Sequence, residues 1–61
     1  MHSYKVDLQY RQEAPVYILT GTDGTFNQFN TPAQVGAYCQ AMSIEPTWSE
    51  AAQAAREAAN G

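Results

Sequence analysis

The sequence predicts an α+β fold: a three-stranded antiparallel β-meander followed by two α-helices (β-β-β-α-α), with the first helix packed on one sheet face. Apolar and polar residues alternate near the start, turn-forming glycines follow, and two helix-start signals precede helical patterns. A chain of 61 residues has room for a single small domain. Within residues 1–61 we expect the meander in residues 1–30, the first helix in residues 31–43 and an Ala-rich second helix in residues 47–60.

The first strand is predicted by a strict alternation of apolar and polar residues, which is typical of a strand with one buried face. Residues 11–14 then break the alternation before Pro15, which lacks a backbone N–H and therefore suits the start of a strand or a sheet edge. We expect an antiparallel hairpin here. The apolar positions of the first strand are Tyr4, Val6, Leu8 and Tyr10.

The second strand is apolar on both faces, which is typical of a central strand or of one that contacts a partner. Val16 and Ile18 point to one face, whereas Tyr17 and Leu19 point to the other. If one helix covers only one face, one of these pairs is left uncovered and marks an interface. The other interpretation is that the second helix or the strand twist hides that pair.

A tight turn and a third strand are expected next. Asp23-Gly24 is typical of a hairpin turn with positive φ at both central positions. A short strand then covers residues 25–29, although Phe26 and Phe29 are three residues apart and can share a face only through a bulge or bend.

Both helices begin at capping signals. Thr31 can cap the first helix, Pro32 occupies its first position, and Gln34 completes a capping box. The second helix is expected to start with a capping box at residues 47–50, with Ser49 as an alternative cap. The apolar stripe of the first helix, which we expect to cover the sheet, is Val35, Tyr38, Cys39 and Met42.

Residue types that carry chemistry are scarce. One cysteine and one histidine cannot form an internal disulfide or complete a zinc site. Cys39 is expected in the core, because His2 lies at a terminus and is a poor base for it. Asp23 is expected to be a turn residue, since neither a phosphate loop nor a calcium loop surrounds it. We therefore predict no enzyme, no catalytic residue, no cofactor and no metal site.

The charge pattern argues against a nucleic-acid partner. Three basic residues, Lys5, Arg11 and Arg56, lie far apart and are outnumbered by six acidic ones, whereas phosphate binding needs clustered positive charge. The sequence also shows no secretory signal and no apolar run long enough to span a membrane. Because a lone thiol suits a reducing compartment, we expect a cytoplasmic protein without a membrane partner.

The aromatic residues favour a binding function, since tyrosine and tryptophan are enriched at binding hot spots. The leading hypothesis is a small protein-protein interaction module, such as an inhibitor or regulator of the kind carried by phages, that sterically occupies another protein. The alternative is a structural homodimeric subunit without a ligand. A third hypothesis is a weak nucleic-acid-associated regulator. The candidate partner-binding residues are Tyr17, Leu19, Val16, Ile18, Trp48 and Tyr10.

Overall fold

A computed structural model describes residues 2–60 and contains one four-stranded sheet and two helices, which confirms the α+β class. The first three strands are antiparallel neighbours, as predicted, but a fourth strand joins the other side of the first one. The sheet order is β3-β2-β1-β4. The elements are β1 (Tyr4–Arg11), β2 (Ala14–Gly21), β3 (Phe26–Phe29), α1 (Pro32–Met42), β4 (Thr47–Trp48) and α2 (Glu50–Asn60).

The strand β4 corrects the prediction of a purely antiparallel three-stranded meander. The sequence predicts helix from residue 47, yet Thr47 and Trp48 pair in parallel with β1. Ser49 then donates its backbone N–H to the Val6 carbonyl at 2.9 Å. The Ser49 hydroxyl accepts the Ala52 N–H at 3.2 Å, so the alternative cap starts the helix. Pairing with β1 satisfies backbone groups that would otherwise depend on water.

The turn between β1 and β2 places two ordinary residues in the left-handed region. Gln12 has φ 52° and Glu13 has φ 66°, and they separate the paired residues Arg11 and Ala14. A two-residue hairpin turn needs positive φ at both positions, which is why Asn-Gly is the preferred sequence there. The strand register therefore holds this turn in a conformation that its own residues disfavour.

The turn between β2 and β3 is one residue longer than predicted. Gly24 has φ 92°, whereas Asp23 is not in the left-handed region. The Gly24 N–H donates to the Gly21 carbonyl at 3.1 Å, and the Gly21 N–H donates to the Thr25 carbonyl at 3.0 Å. This pattern is the three-residue hairpin loop closed by a bulge at a left-handed glycine.

The helix α1 starts at the predicted signals. The Thr31 hydroxyl accepts the Gln34 N–H at 3.2 Å, and Pro32 occupies the first turn. The Gln34 side chain in turn accepts the Asn30 N–H at 3.0 Å. At the other end Ser43 adopts φ 57° and its N–H bonds to the last carbonyls of the helix. These caps give α1 defined ends over the sheet.

Both helices pack on the same face of the sheet. Val6 and Leu19 face each other across β1 and β2 at the centre of the core. Tyr17 lies on this core face, whereas Val16 and Ile18 lie on the opposite face, which carries no helix among the described residues. The buried core cluster consists of Val6, Tyr17 and Leu19 from the sheet, Val35 and Cys39 from α1, and Ala52 from α2.

Candidate interaction surface

The structure places two of the candidate partner-binding residues inside the core. Tyr17 and Leu19 are only 3% and 0% exposed, because α1 and α2 cover their side of the sheet. No partner can reach either side chain while the chain is folded. We therefore assign both residues to core packing and remove them from the candidate contact surface.

The uncovered pair is Val16 and Ile18, but it exposes less apolar area than the sequence suggests. Ile18 is only 7% exposed although no helix covers it. Its cross-strand neighbours are Asp7 on β1 and Gln28 on β3, and side chains at such positions lie within contact distance. The helix-free face is therefore a largely polar surface with a shielded apolar centre.

The aromatic candidates Trp48 and Tyr10 have different environments. Trp48 is half-buried, its ring meets Tyr17 edge-on at 6.3 Å between centroids, and the Arg56 guanidinium lies 4.6 Å from its ring centroid. These contacts dock α2 onto the sheet and engage the Trp48 ring within the fold. Tyr10 is 68% exposed near the end of β1 and stays a candidate contact residue.

Two exposed apolar side chains are absent from the sequence-based set. Phe26 on β3 is 60% exposed and Met42 at the end of α1 is 57% exposed. The alternation rule assigns Phe26 to a strand, and the helical stripe assigns Met42 to the core. Neither rule reveals that both side chains are largely exposed.

Phe26 and Met42 belong to a region without charge. Residues 24–44, which include β3 and α1, contain no Asp, Glu, Lys, Arg or His. We call the solvent-facing side of β3 and α1 the uncharged flank. Interface cores are depleted of charged residues in this way, whereas ordinary surface is not. The exposed small or apolar residues of α1 on this flank are Ala33, Gly36, Ala37, Ala41 and Met42.

The hydrogen bonds fix which backbone groups of β3 face the sheet. The Gly21 N–H bonds to the Thr25 carbonyl, so the backbone of Gly21 points toward β3. The N–H and C=O groups of successive residues point alternately to the two sides of a strand. The N–H and C=O groups of Leu19, two residues before Gly21, therefore also point toward β3. Its partner is Asn27. The backbone of Asn27 is thus hydrogen-bonded into the sheet.

The residues on either side of Asn27 consequently direct their backbone groups outward. Phe26 and Gln28 present their N–H and C=O groups along the free edge of β3. Within residues 2–60, no hydrogen bond reaches these four groups. The uncharged flank therefore includes an unpaired strand edge.

Two other unpaired stretches of the sheet, in β1 and β2, carry features that discourage pairing. Where β1 extends beyond β4 it carries the charged residues Asp7 and Arg11, and where β2 extends beyond β3 it carries Pro15. Charged side chains and proline are the usual means of keeping edge strands apart. The β3 sequence Phe-Asn-Gln-Phe has neither.

Tyr4, Asp23 and Thr25 form a hydrogen-bonded cluster at the turn between β2 and β3, which we call the turn clasp. One Asp23 carboxylate oxygen accepts the Thr25 N–H at 3.0 Å and the Thr25 hydroxyl at 2.6 Å, and the other accepts the Tyr4 hydroxyl at 2.8 Å. The Thr25 bonds, followed by the Tyr4 bond, lower the pKa of Asp23 to about 2. The Tyr4–Asp23 bond raises the pKa of Tyr4. Asp23 is therefore ionised at neutral pH and poorly suited to accept or donate a proton.

Cys39 has the properties of a core thiol. It is buried against the sheet, and burial raises the pKa of its thiol. A thiol that stays protonated at neutral pH is a weak nucleophile. In the described part of the chain, no three His, Cys, Asp or Glu side chains come together in a metal-binding group.

Comparisons with known proteins assign no relative to this chain, since no family model, curated protein or solved structure matches it. Neither helix within residues 2–60 has the length and apolar character needed to cross a bilayer. The uncharged flank and the free edge of β3 are therefore the features from which a function is argued.

Proposed function

We propose that this chain is a small protein-protein interaction module that acts by occupying a surface of another protein chain, as an inhibitor or regulator does. The uncharged flank carries the proposal. All nine charged side chains lie in β1, the hairpin turns, the residues after α1, or α2. Water-facing surface of a small protein normally carries charge for solubility, so a continuous region without it favours contact with another chain.

The exposed face of α1 supports this proposal through its composition. A helix that meets water on one side normally places charged or strongly polar residues there. The exposed side of α1 instead carries no charged residue: besides Gln34 and Gln40 it presents small residues such as Ala33, Ala37 and Ala41. Small side chains let a second backbone approach closely, so this side is well shaped for close packing. By contrast, the exposed side of α2 includes Glu50 and Glu57.

The placement of the cations gives no support to a nucleic-acid-binding function. The Lys5 ammonium nitrogen lies 3.8 Å from the Asp7 carboxylate. The guanidinium of Arg56, a residue of α2, lies over the Trp48 ring. Arg11 is at the far end of β1. Phosphate binding needs several cations on one surface.

A non-enzymatic role in a reducing compartment such as the cytoplasm completes the proposal, since the single thiol of Cys39 is buried and has no second cysteine to pair with.

A site-specific photocrosslinking experiment tests the proposed function. A photoreactive amino acid replaces Ala37 on the uncharged flank, and a matched variant carries it at Ala54, which is exposed on α2. Both variants are irradiated in the cell that makes the protein. We expect a discrete crosslinked species from position 37 and none of comparable yield from position 54.

The outcome at position 37 decides the proposal for either kind of protein partner. A crosslink to a second copy or to another protein supports an interaction module. If position 37 gives no adduct while the variant remains folded, the uncharged flank is ordinary solvent-facing surface and the proposal is wrong.

A further inference from the structure

We propose that the partner on the uncharged flank is a second copy of this chain, joined by antiparallel pairing of β3 with β3 of the partner across a two-fold axis at Asn27. This inference rests on the proposed function and names its partner. The two sheets would form one continuous eight-stranded sheet. The argument comes from the backbone groups of the edge, the absence of charge, and the side chains beside the strand.

The free edge of β3 is complementary to itself in one register. In antiparallel pairing, each outward-facing residue exchanges two hydrogen bonds with an outward-facing residue of the other strand. Placing Phe26 opposite Gln28 of the partner also places Gln28 opposite Phe26 of the partner. All four outward N–H and C=O groups of each copy are then bonded. The two-fold axis passes between the two copies of Asn27.

The neighbouring registers leave at least one of these groups without a partner. Placing Phe26 opposite its own copy sets Gln28 against Gly24, whose N–H already bonds to Gly21. Placing Gln28 opposite its own copy sets Phe26 against Asn30, whose N–H already bonds to the Gln34 side chain. Shifts by a single residue pair outward groups with inward ones. The register centred on Asn27 is therefore the preferred one.

Charge also favours a second copy. Two chains of net charge −3 repel each other, but β3 and α1 carry no acidic residue, so two copies can meet there without bringing carboxylates together. Among the described residues, the cation that reaches this strand is Arg11, whose guanidinium contacts the Gln28 side chain at 3.5 Å.

The side chains around the edge fit a strand placed there. Phe26 projects on the helix-free face, and Met42 lies one helical turn after Tyr38, which contacts Phe29 of β3 at 5.5 Å between ring centroids. An exposed apolar side chain, Phe26, therefore lies beside the edge on the helix-free face.

Asn27 can also bond to its own copy at the axis. Its side-chain amide donates to the Tyr38 hydroxyl at 3.2 Å, which leaves a second N–H and the carbonyl oxygen free to pair. Side chains directly opposite at a non-hydrogen-bonded position are about 4.5 Å apart at Cα, so the two amides are within reach.

The variant Gln28→Pro tests the pairing because the backbone hydrogen-bonding group that it removes is an outward-facing N–H. Proline is tolerated at an edge position whose N–H faces solvent, so the isolated chain should keep its fold. Gln28→Ala is the matched control, because it removes the same side chain, including the 3.5 Å contact with Arg11, but keeps the N–H. Far-UV circular dichroism and Trp48 fluorescence confirm that both variants are folded.

Molecular mass is measured by light scattering over a tenfold concentration range. We expect the unmodified chain and Gln28→Ala to reach twice the 6.7 kDa monomer mass, and Gln28→Pro to dissociate about tenfold more readily or to remain monomeric. Amide hydrogen exchange tests the register, because it measures which backbone N–H groups become hydrogen-bonded in the dimer. The Phe26 and Gln28 amides should exchange roughly tenfold more slowly in the dimer than in the monomer.

Each contrary result overturns the self-pairing inference. A chain that stays monomeric at all concentrations has no such dimer, although a crosslink to a foreign protein at position 37 would leave the proposed function standing. A dimer that resists Gln28→Pro, or that leaves the Phe26 amide unprotected, uses another surface.

Discussion

The ring of Tyr4 lies directly against Gly21, its cross-strand partner on β2. A Cβ atom at position 21 would stand 2.6 Å from Cδ1 and 2.7 Å from Cε1 of that ring. The ring cannot easily move aside, because its hydroxyl donates to Asp23 at 2.8 Å. The Tyr4 ring thus occupies the space that a side chain at position 21 would need, and it packs against the end of β2 next to the turn.

The first prediction follows from this contact. Gly21→Ala should lower the free energy of unfolding by about 1–3 kcal/mol, because the new methyl group overpacks against the Tyr4 ring. Gly36→Ala is the matched control: apart from its chain neighbours and the backbone of its own helix, nothing lies within 4 Å of a Cβ at this position, and alanine stabilises a helix interior by about 1 kcal/mol relative to glycine. Urea unfolding monitored by Trp48 fluorescence measures both changes.

A double-mutant cycle identifies the cause. In a Tyr4→Ala background, the cost of Gly21→Ala should largely disappear if the ring is responsible. A cost that persists in that background would mean that the ring is not the main obstacle, and that the Asp23 carboxylate oxygen, 2.8 Å from the same Cβ position, or the backbone excludes alanine.

The second prediction concerns the turn between β1 and β2. Replacing Gln12 by Asn and Glu13 by Gly should raise the free energy of unfolding by about 1–2 kcal/mol, since these residues accept positive φ far more readily. The φ angles of 52° and 66° at these positions give the reason. Equilibrium urea unfolding checks the change. If stability stays the same or falls, the present side chains compensate for the strain in a way that the backbone geometry does not reveal.

The third prediction is a pH dependence centred on Asp23. Its pKa in the folded chain is lowered from 3.8 to about 2, so its hydrogen bonds stabilise the fold above pH 3.8 and are lost as the pH falls toward 2. The melting temperature should drop across this window, and the drop should be smaller in Asp23→Asn. In Tyr4→Phe, the pKa of Asp23 measured by NMR titration should move upward. An Asp23 pKa near its ordinary value in the unmodified chain would contradict the clasp.

The fourth prediction concerns the docking of α2. Arg56→Gln should lower the free energy of unfolding by about 0.5–1 kcal/mol, because the guanidinium over the Trp48 ring is lost. Trp48 is the single tryptophan, so its emission should change in the folded state as well. Arg11→Gln removes the same charge far from Trp48 and should leave the emission unchanged. Identical spectra for both variants would show that Arg56 does not contact the ring in solution.

Much of the fold follows from local sequence patterns. The alternation from Tyr4 to Tyr10 and the cap at Thr31 are strong signals, because each depends on residues close in sequence. The strand β4 is different, since its two residues are extended only because they meet β1, more than forty positions earlier. No local pattern reports such a contact, and the capping signal at residues 47–50 favours helix at the same place.

The candidate surface could be predicted only in part. The two faces of β2 are equally apolar, so the sequence does not show which face the helices cover. In the structure the helices cover Tyr17 and Leu19, and the opposite face carries Val16 and Ile18. The absence of charge from residues 24–44, however, can be read directly from the sequence. The outward direction of the Gln28 backbone requires the register, which depends on the bulge at Gly24.

The pairing of β1 with β4 also sets the order in which the protein can form during synthesis. The hairpins of β1, β2 and β3 close over short loops and can form as soon as they leave the ribosome. Lys5, by contrast, meets Thr47, which closes a loop of about 40 residues at a correspondingly larger entropic cost. Until β4 and α2 emerge, the nascent sheet has one side of its core open to water. Val6, central to the finished core, is therefore made well before the elements that enclose it and is among the last residues to be fully covered.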